Sequence, residues 1–282
     1  MKKIIYGVVL LMIMFMPCFL SAGEIKEDSL VKLMVLSGLN KQVTVLQEMI
    51  MTGMERERQQ QELPIPDEIF KEMQESVKSS FRAAEILSIT ATEIKKNISE
   101  SEAKELLAWY ESDTGKRIKK AEEDASTPAA YQEMIKEARS LFADAKLVQY
   151  ARIIDNLANV TEMAFQLQLN TGIAVLTAIS MVTKPDQKVN MEAYKAQIAM
   201  QGKHLKTDIA KLVTLSFLYS YKSIDTDSLE KYIAFLENPT TRKFNVNVMN
   251  GMKYALNQSI DKMSDSLVVM IKNSSDKANK KL

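Results

Sequence analysis

Glycine and proline number only 8 and 6 in 282 residues, so the chain has few places to turn tightly and must run in long regular segments. Its abundant Leu, Ala, Lys, Glu, Gln and Met favour helix over turn-dense sheet. Charged residues make up 26% of the chain, as in ordinary folded domains, which argues for a packed core. These observations predict an all-α helical bundle.

The N-terminus adds a second constraint. Met1-Lys2-Lys3 precedes an uncharged run from Ile4 to Leu20 and then Ser21-Ala22-Gly23, the layout of a secretory signal peptide cut after Ala22 or Gly23. The apolar run is short for a full span, which favours cleavage over a retained anchor. Cys18 follows Met16-Pro17 and lacks the small residues that a lipid-modification site needs. Losing Lys2 and Lys3 takes the formal charge from +1 to −1, leaving no global basic field for nucleic acid. Losing Cys18, the one cysteine, excludes disulfides, thiolate chemistry, iron–sulfur clusters and cysteine-bound zinc from the exported product.

Behind the signal, Val35, Leu39, Val43, Leu46, Ile50 and Met54 form one stripe at helical spacing. Pro64 and Pro66 end it. Asp67 is the expected N-cap of a helix carrying Phe70, Met73, Val77, Phe81, Ala84 and Leu87 as far as about Asn97. Ser99 and Glu102 read as a capping box, Ser112 as a stop and restart, and Thr127-Pro128 as another start. A helical pattern follows from Met134 to Val148. The uncharged stretch Met163 to Thr183 contains Gln166, Gln168 and Asn170, so it reads as a core helix rather than a membrane span. Further helices are expected over about 190–221, after Asp225, and after Asn238-Pro239, with a polar tail at the end.

Two of these passages are alike. Ala108 to Ile118 aligns with Ala234 to Phe244 at a constant offset of 126, and the same offset pairs the caps Ser99 and Asp225. A weaker pairing, at a slightly smaller offset, sets Met51-Thr52-Gly53 beside Asn170-Thr171-Gly172. The expected organisation is therefore a signal peptide at 1–23, related tandem helical modules at 24–126 and 127–272, and a polar C-terminal tail at 273–282.

In the first copy the motif runs Leu106-Leu107-Ala108-Trp109-Tyr110-Glu111-Ser112-Asp113-Thr114-Gly115-Lys116-Arg117. It resembles the bacterial family called domain of unknown function 2059, over about Glu85 to Ala125. That family often has Phe-Tyr as the aromatic pair and Pro after the Ser; here Trp109-Tyr110 and Asp113 stand instead. The second copy keeps Pro239 but has Thr241 where the first has Gly115. The resemblance implies a helical exported protein and carries over no catalytic residue.

The candidate motif residues are thus Trp109, Tyr110, Ser112, Thr114, Gly115, Lys116 and Arg117, read as a structural corner. The functional alternative is an anion or lipid-headgroup site built from free N–H groups and the basic pair. His204, the lone histidine, reads as a surface residue, since zinc or a catalytic triad would need partners that are absent. Met49, Met51 and Met54 could suggest Cu(I), but Met49 and Met51 point to nearly opposite sides of a helix. Glu122-Glu123-Asp124 beside Lys119-Lys120 reads as an ion-paired helical face. Nucleotide-binding and serine-hydrolase motifs are missing. The expectation is a non-enzymatic, exported (periplasmic or secreted) protein with no cofactor and no nucleic-acid partner, binding a protein or amphiphilic ligand between its two modules. The alternative is an envelope protein held at the membrane surface or by its signal; membrane contact is the less favoured reading. Oligomeric state and ligand identity stay open at this point.

Overall fold

The computed structural model describes residues 23–60, 66–169 and 191–279, and these are helical almost throughout. The fold is all-α. The helices are α1 (Glu27–Leu36), α2 (Leu39–Thr44), α3 (Leu46–Gln60), α4 (Asp67–Ser80), α5 (Ala83–Asn97), α6 (Glu100–Glu111), α7 (Asp113–Ala125), α8 (Pro128–Leu141), α9 (Ala145–Ala158), α10 (160–169), α11 (Met191–Tyr221), α12 (Thr226–Glu237) and α13 (Pro239–Asn279). The expected signal peptide, its cleavage site at Ala22 and most of the uncharged 163–183 stretch lie outside the described residues. Among the described residues no helix is long and apolar enough to cross a membrane.

Most caps written in side-chain chemistry are where the sequence places them, with Asp144 an addition; Asp67, expected as an N-cap, is instead the first residue of α4, whose N-cap is Pro66 with no side-chain bond. Ser99 accepts from the Glu102 amide at 3.3 Å while Glu102 Oε2 accepts from the Ser99 amide at 2.8 Å, a reciprocal box. Ser112, Thr127, Asp144 and Asp225 each accept an amide three residues on, and Asn238 accepts from the Thr240 amide at 2.7 Å.

Breaks that rest on backbone geometry differ from the periodic pattern. The stripe from Leu30 to Met54 is divided among α1, α2 and α3, and Gly38 takes a left-handed conformation (φ 83°) that turns the chain between the first two. Val35 consequently points to solvent, 53% exposed, rather than along the stripe. The helix expected from Asp67 to Asn97 is two helices, capped at its start by Pro66 and interrupted at Phe81 (φ −101°, ψ 52°), whose ring is buried. The run from Met134 to Val148 breaks at 142–144, and Asn159 (φ 55°) ends α9. At the other end α13 stays helical to Asn279, past residue 273 where the tail was expected.

Burial shows how these helices combine. The larger core joins Leu30, Leu33, Val43, Ile50, Met54, Phe70, Val77, Ile94 and Leu106 from α1–α6 with Phe244, Val248, Met252, Ala255, Met263 and Leu267 from α13. Smaller clusters gather Ile118, Ile154, Tyr221, Leu229 and Leu236, and Met134, Leu141, Ala151, Leu215 and Leu218. Buried side chains therefore cross the sequence position 126/127. α13, last in the chain, packs on α4 and α5, whereas α7 and α8 pack on α11. The helix after each corner lies against the helix that precedes the other corner.

Candidate functional site: two interlocked corners

At the first corner α6 ends, the chain turns at Ser112 (φ −67°, ψ 158°), and α7 begins at once. Ser112 Oγ donates to the Trp109 carbonyl at 2.7 Å and accepts from the Gly115 amide at 3.0 Å, tying both helices to one hydroxyl. The turn is tight enough that a Cβ on Gly115 would stand 2.1 Å from the Trp109 carbonyl oxygen, so only glycine fits. The second corner turns at Asn238 with ψ 133°, and there Thr241 is buried in the position equivalent to Gly115.

The two corners meet. Trp109 stacks on Phe235, the residue 126 positions later, with ring centroids 4.6 Å apart and planes 11° from parallel. Tyr110 meets Phe235 edge-on at 5.6 Å, and Tyr232 stacks on Trp109 at 6.0 Å. Such ring pairs add roughly 0.5–1.5 kcal/mol each beyond the area they bury.

The basic residues are exchanged in the same reciprocal way. Arg117 of the first corner donates to Asp225 Oδ2 (3.2 Å) and Ser228 Oγ (2.6 Å), the N-terminal cap of α12. Lys243, its counterpart, donates to Glu102 Oε1 (2.8 Å) in the N-terminal cap of α6. Each corner thus sends a cation to the cap of the opposite aromatic helix. Glu105 adds a further link, accepting from Asn238 Nδ2 at 2.7 Å and Thr240 Oγ1 at 2.8 Å.

These contacts set the local electrostatics. Burial alone would push Glu102 up, but hydrogen bonds from Lys243 and Ser99 outweigh it and hold the carboxyl below its ordinary value. Asp225 is lowered chiefly by the Ser228 amide and hydroxyl, with Arg117 assisting. Beneath the rings lies a hub that sequence patterning misses. Glu122 Oε1 accepts from Tyr221 (2.8 Å) and Tyr232 (3.1 Å), while Oε2 accepts from Lys119 (3.0 Å). Burial and then the Glu122 charge raise both tyrosines well above their usual value, and Tyr110 is raised by the same causes in the same order. In sequence Glu122 belongs to an acidic run on a solvated face, and nothing local singles it out.

Of the predicted motif residues, Trp109, Tyr110 and Arg117 reach across to the second corner, while Ser112 and Gly115 shape the turn of the first. Lys116 is exposed and Thr114 half-buried, and neither shares in the exchanged contacts described above. The other candidates disperse. Met54 is buried in the core, Met51 packs against its edge and Met49 is 52% exposed, so the three sulfurs do not converge on one metal. His204 is exposed. Lys120 pairs with Asp124 at 2.9 Å, as the charge pattern suggests.

Residues 85–144, spanning α5 to α8, match the model of a family described as an uncharacterized protein conserved in bacteria (DUF2059). Over these residues the chain is similar to that domain of unknown function. The match includes the whole first corner, so the resemblance carried by Leu106 to Arg117 holds; the second corner, at 234–244, lies outside it. No curated protein and no solved structure matches the chain.

Two clefts flank the domain. A 610 Å³ groove between α3 and α4 is lined by Gln47, Glu48, Met51, Thr52, Glu55, Gln59 and Gln74. A 310 Å³ cleft between α7 and the end of α11 is bordered by Arg117, Lys120 and Lys222. The cations of this second cleft are paired with Asp225, Asp124 and Glu137.

Proposed function

We propose that this chain is an exported, non-enzymatic helical protein that binds a protein or amphiphilic ligand, in the periplasm where the cell has two membranes. The observation that carries the reading is the α3–α4 groove. Its 610 Å³ falls within the range of small-molecule sites. Its lining mixes amides and carboxylates with the single thioether of Met51, which suits a molecule with both polar and apolar parts. The corner favours the same reading by subtraction, because Arg117 and Lys243 are occupied holding the caps of α12 and α6 rather than offered to an external anion.

Export rests on the N-terminal sequence, Met1-Lys2-Lys3 followed by an uncharged run and Ser21-Ala22-Gly23. The Gly23 carbonyl accepts from the Glu100 amide at 2.9 Å, and the Lys26 amide donates to Glu100 Oε2 at 2.9 Å. The chain is thus stitched to α6 directly behind the expected cleavage site. Mass spectrometry of the purified exported form tests both points, since it reads the N-terminal residue and any retained small molecule or peptide. A retained ligand whose occupancy collapses in Met51→Trp supports the groove. An intact N-terminus, or ligand occupancy indifferent to Met51→Trp, overturns the respective half of the reading.

A further inference from the structure

Carried past the corners, the 126-residue offset sets α8 beside the second half of α13 in sequence, although α13 runs on from its corner without the break that separates α7 from α8. Along α8, Tyr131, Ile135 and Phe142 lie on one side at helical spacing, and they are 45%, 48% and 42% exposed. The ridge flanks the buried face of Ala130, Met134 and Leu141, so it is not the face that holds α8 to the fold. In α13 the residues 126 positions later are Asn257, Asp261 and Val268, with Leu256, Ile260 and Leu267 matching the inward face. The inward positions are apolar in both helices. At 131 and 135 the outward positions are apolar in α8 alone, so folding by itself does not require them.

Size and shape narrow the occupant. Three side chains so exposed present roughly 300 Å² in all, well short of the ~800 Å² per partner of a stable dimer. The ridge runs along the outside of a helix, and neither of the two clefts contains any of its residues. A protein anchor ordinarily needs a pocket on one side; a bilayer interface accepts an apolar ridge, and Tyr and Phe suit the headgroup boundary. Charge agrees. Glu133 pairs with Lys136 and Glu137 with Lys222, while Arg139 stands exposed on the same flank as Ile135.

We infer that the α8 ridge of Tyr131, Ile135 and Phe142 is a peripheral contact for an anionic lipid surface, with Arg139 at the headgroups. It goes beyond the groove and does not depend on it.

The test uses the full chain in a Cys18→Ser background, with one new cysteine carrying an environment-sensitive dye, either Ile135→Cys or Asp261→Cys. Vesicles of phosphatidylethanolamine containing phosphatidylglycerol should shift the emission of the dye at 135 to the blue and leave the dye at 261 unchanged. Vesicles of phosphatidylcholine alone should give a weaker shift. In unlabelled protein, Tyr131→Ser with Phe142→Ser should weaken partitioning at least about tenfold and Arg139→Gln about fivefold. Because all these positions are exposed, circular dichroism should be unchanged. No shift at 135, or equal shifts at 135 and 261, overturns the inference whether or not the N-terminal run also touches lipid. A shift that grows with protein concentration in the absence of vesicles overturns it too, assigning the ridge to a second copy of the chain.

Discussion

At one corner a glycine sits beneath a tryptophan carbonyl; at the other a buried threonine takes that place, and the helices beyond differ as well. After Gly115 the chain breaks at Ser126-Thr127-Pro128, giving α7 and α8, whereas after Thr241 it runs unbroken as α13 to Asn279. α13 also lies very close to α5: a Cβ on Gly251 would stand 2.8 Å from Thr90 Cα. Residue 125, the counterpart of Gly251, is Ala, and the α7–α11 crossing beside it holds the 310 Å³ cleft. The corner and the exchange of cations persist in both halves while the helix after the corner varies. What is common to both halves is what joins them.

The comparison breaks most severely if the long helix is undermined. Phe244→Ala should cost about 3–5 kcal/mol in urea unfolding, because the ring lies in the core formed with α1–α6. A cost below about 1 kcal/mol would mean that α13 does not hold that core together. Next in size, Gly115→Ala should cost about 2–3 kcal/mol, since the Trp109 carbonyl cannot yield without moving the turn, whereas Thr241→Ala should cost about 1 kcal/mol. Equal costs would erase the distinction between the corners.

The hub comes third. Glu122→Ala leaves the Tyr221 and Tyr232 hydroxyls without their acceptor and should cost about 1–3 kcal/mol. The same hub predicts an alkaline limit. Tyrosine in the unfolded chain ionises near 10, and burial holds Tyr221 and Tyr232 protonated above that in the fold. Their contribution is therefore complete below pH 10 and declines as pH rises through the folded values. Tyr221→Phe should flatten the decline, and an unchanged alkaline midpoint would remove Tyr221 from the account.

Smallest is the cation exchange. Lys243→Met should shift the unfolding midpoint only slightly, and less at high salt. Glu102 is lowered in the fold, so its contribution holds above pH 4.5 and fades as pH falls through its folded value. Lys243→Met should weaken that acid dependence, and Arg117→Gln should do the same for Asp225 in the other half. A double mutant whose effect equals the sum of the singles would place the two exchanged pairs in independent interactions.

Legibility in the sequence followed the kind of signal each feature carries. The caps at Ser99, Ser112, Thr127, Asp225 and Asn238 were readable because each is a side-chain hydrogen bond made within three residues. The breaks at Phe81 and Asn159 were not, because neither is marked by Gly or Pro and each depends on what the flanking helices pack against. The corner residues were found as a repeated string, yet the string does not reveal that its copies touch. Glu122 was hidden for the same reason, since its tyrosine partners lie 99 and 110 residues away.

Scarce Gly and Pro and local capping chemistry are enough to specify the all-α class, and the residue string alone carries the 126-residue echo that pairs Trp109 with Phe235. That the echoes stack on each other and exchange their cations follows from packing. Helix formation is governed by contacts three or four residues apart, which a sequence displays, whereas ring stacking and buried acid–hydroxyl bonds join residues that only packing brings together.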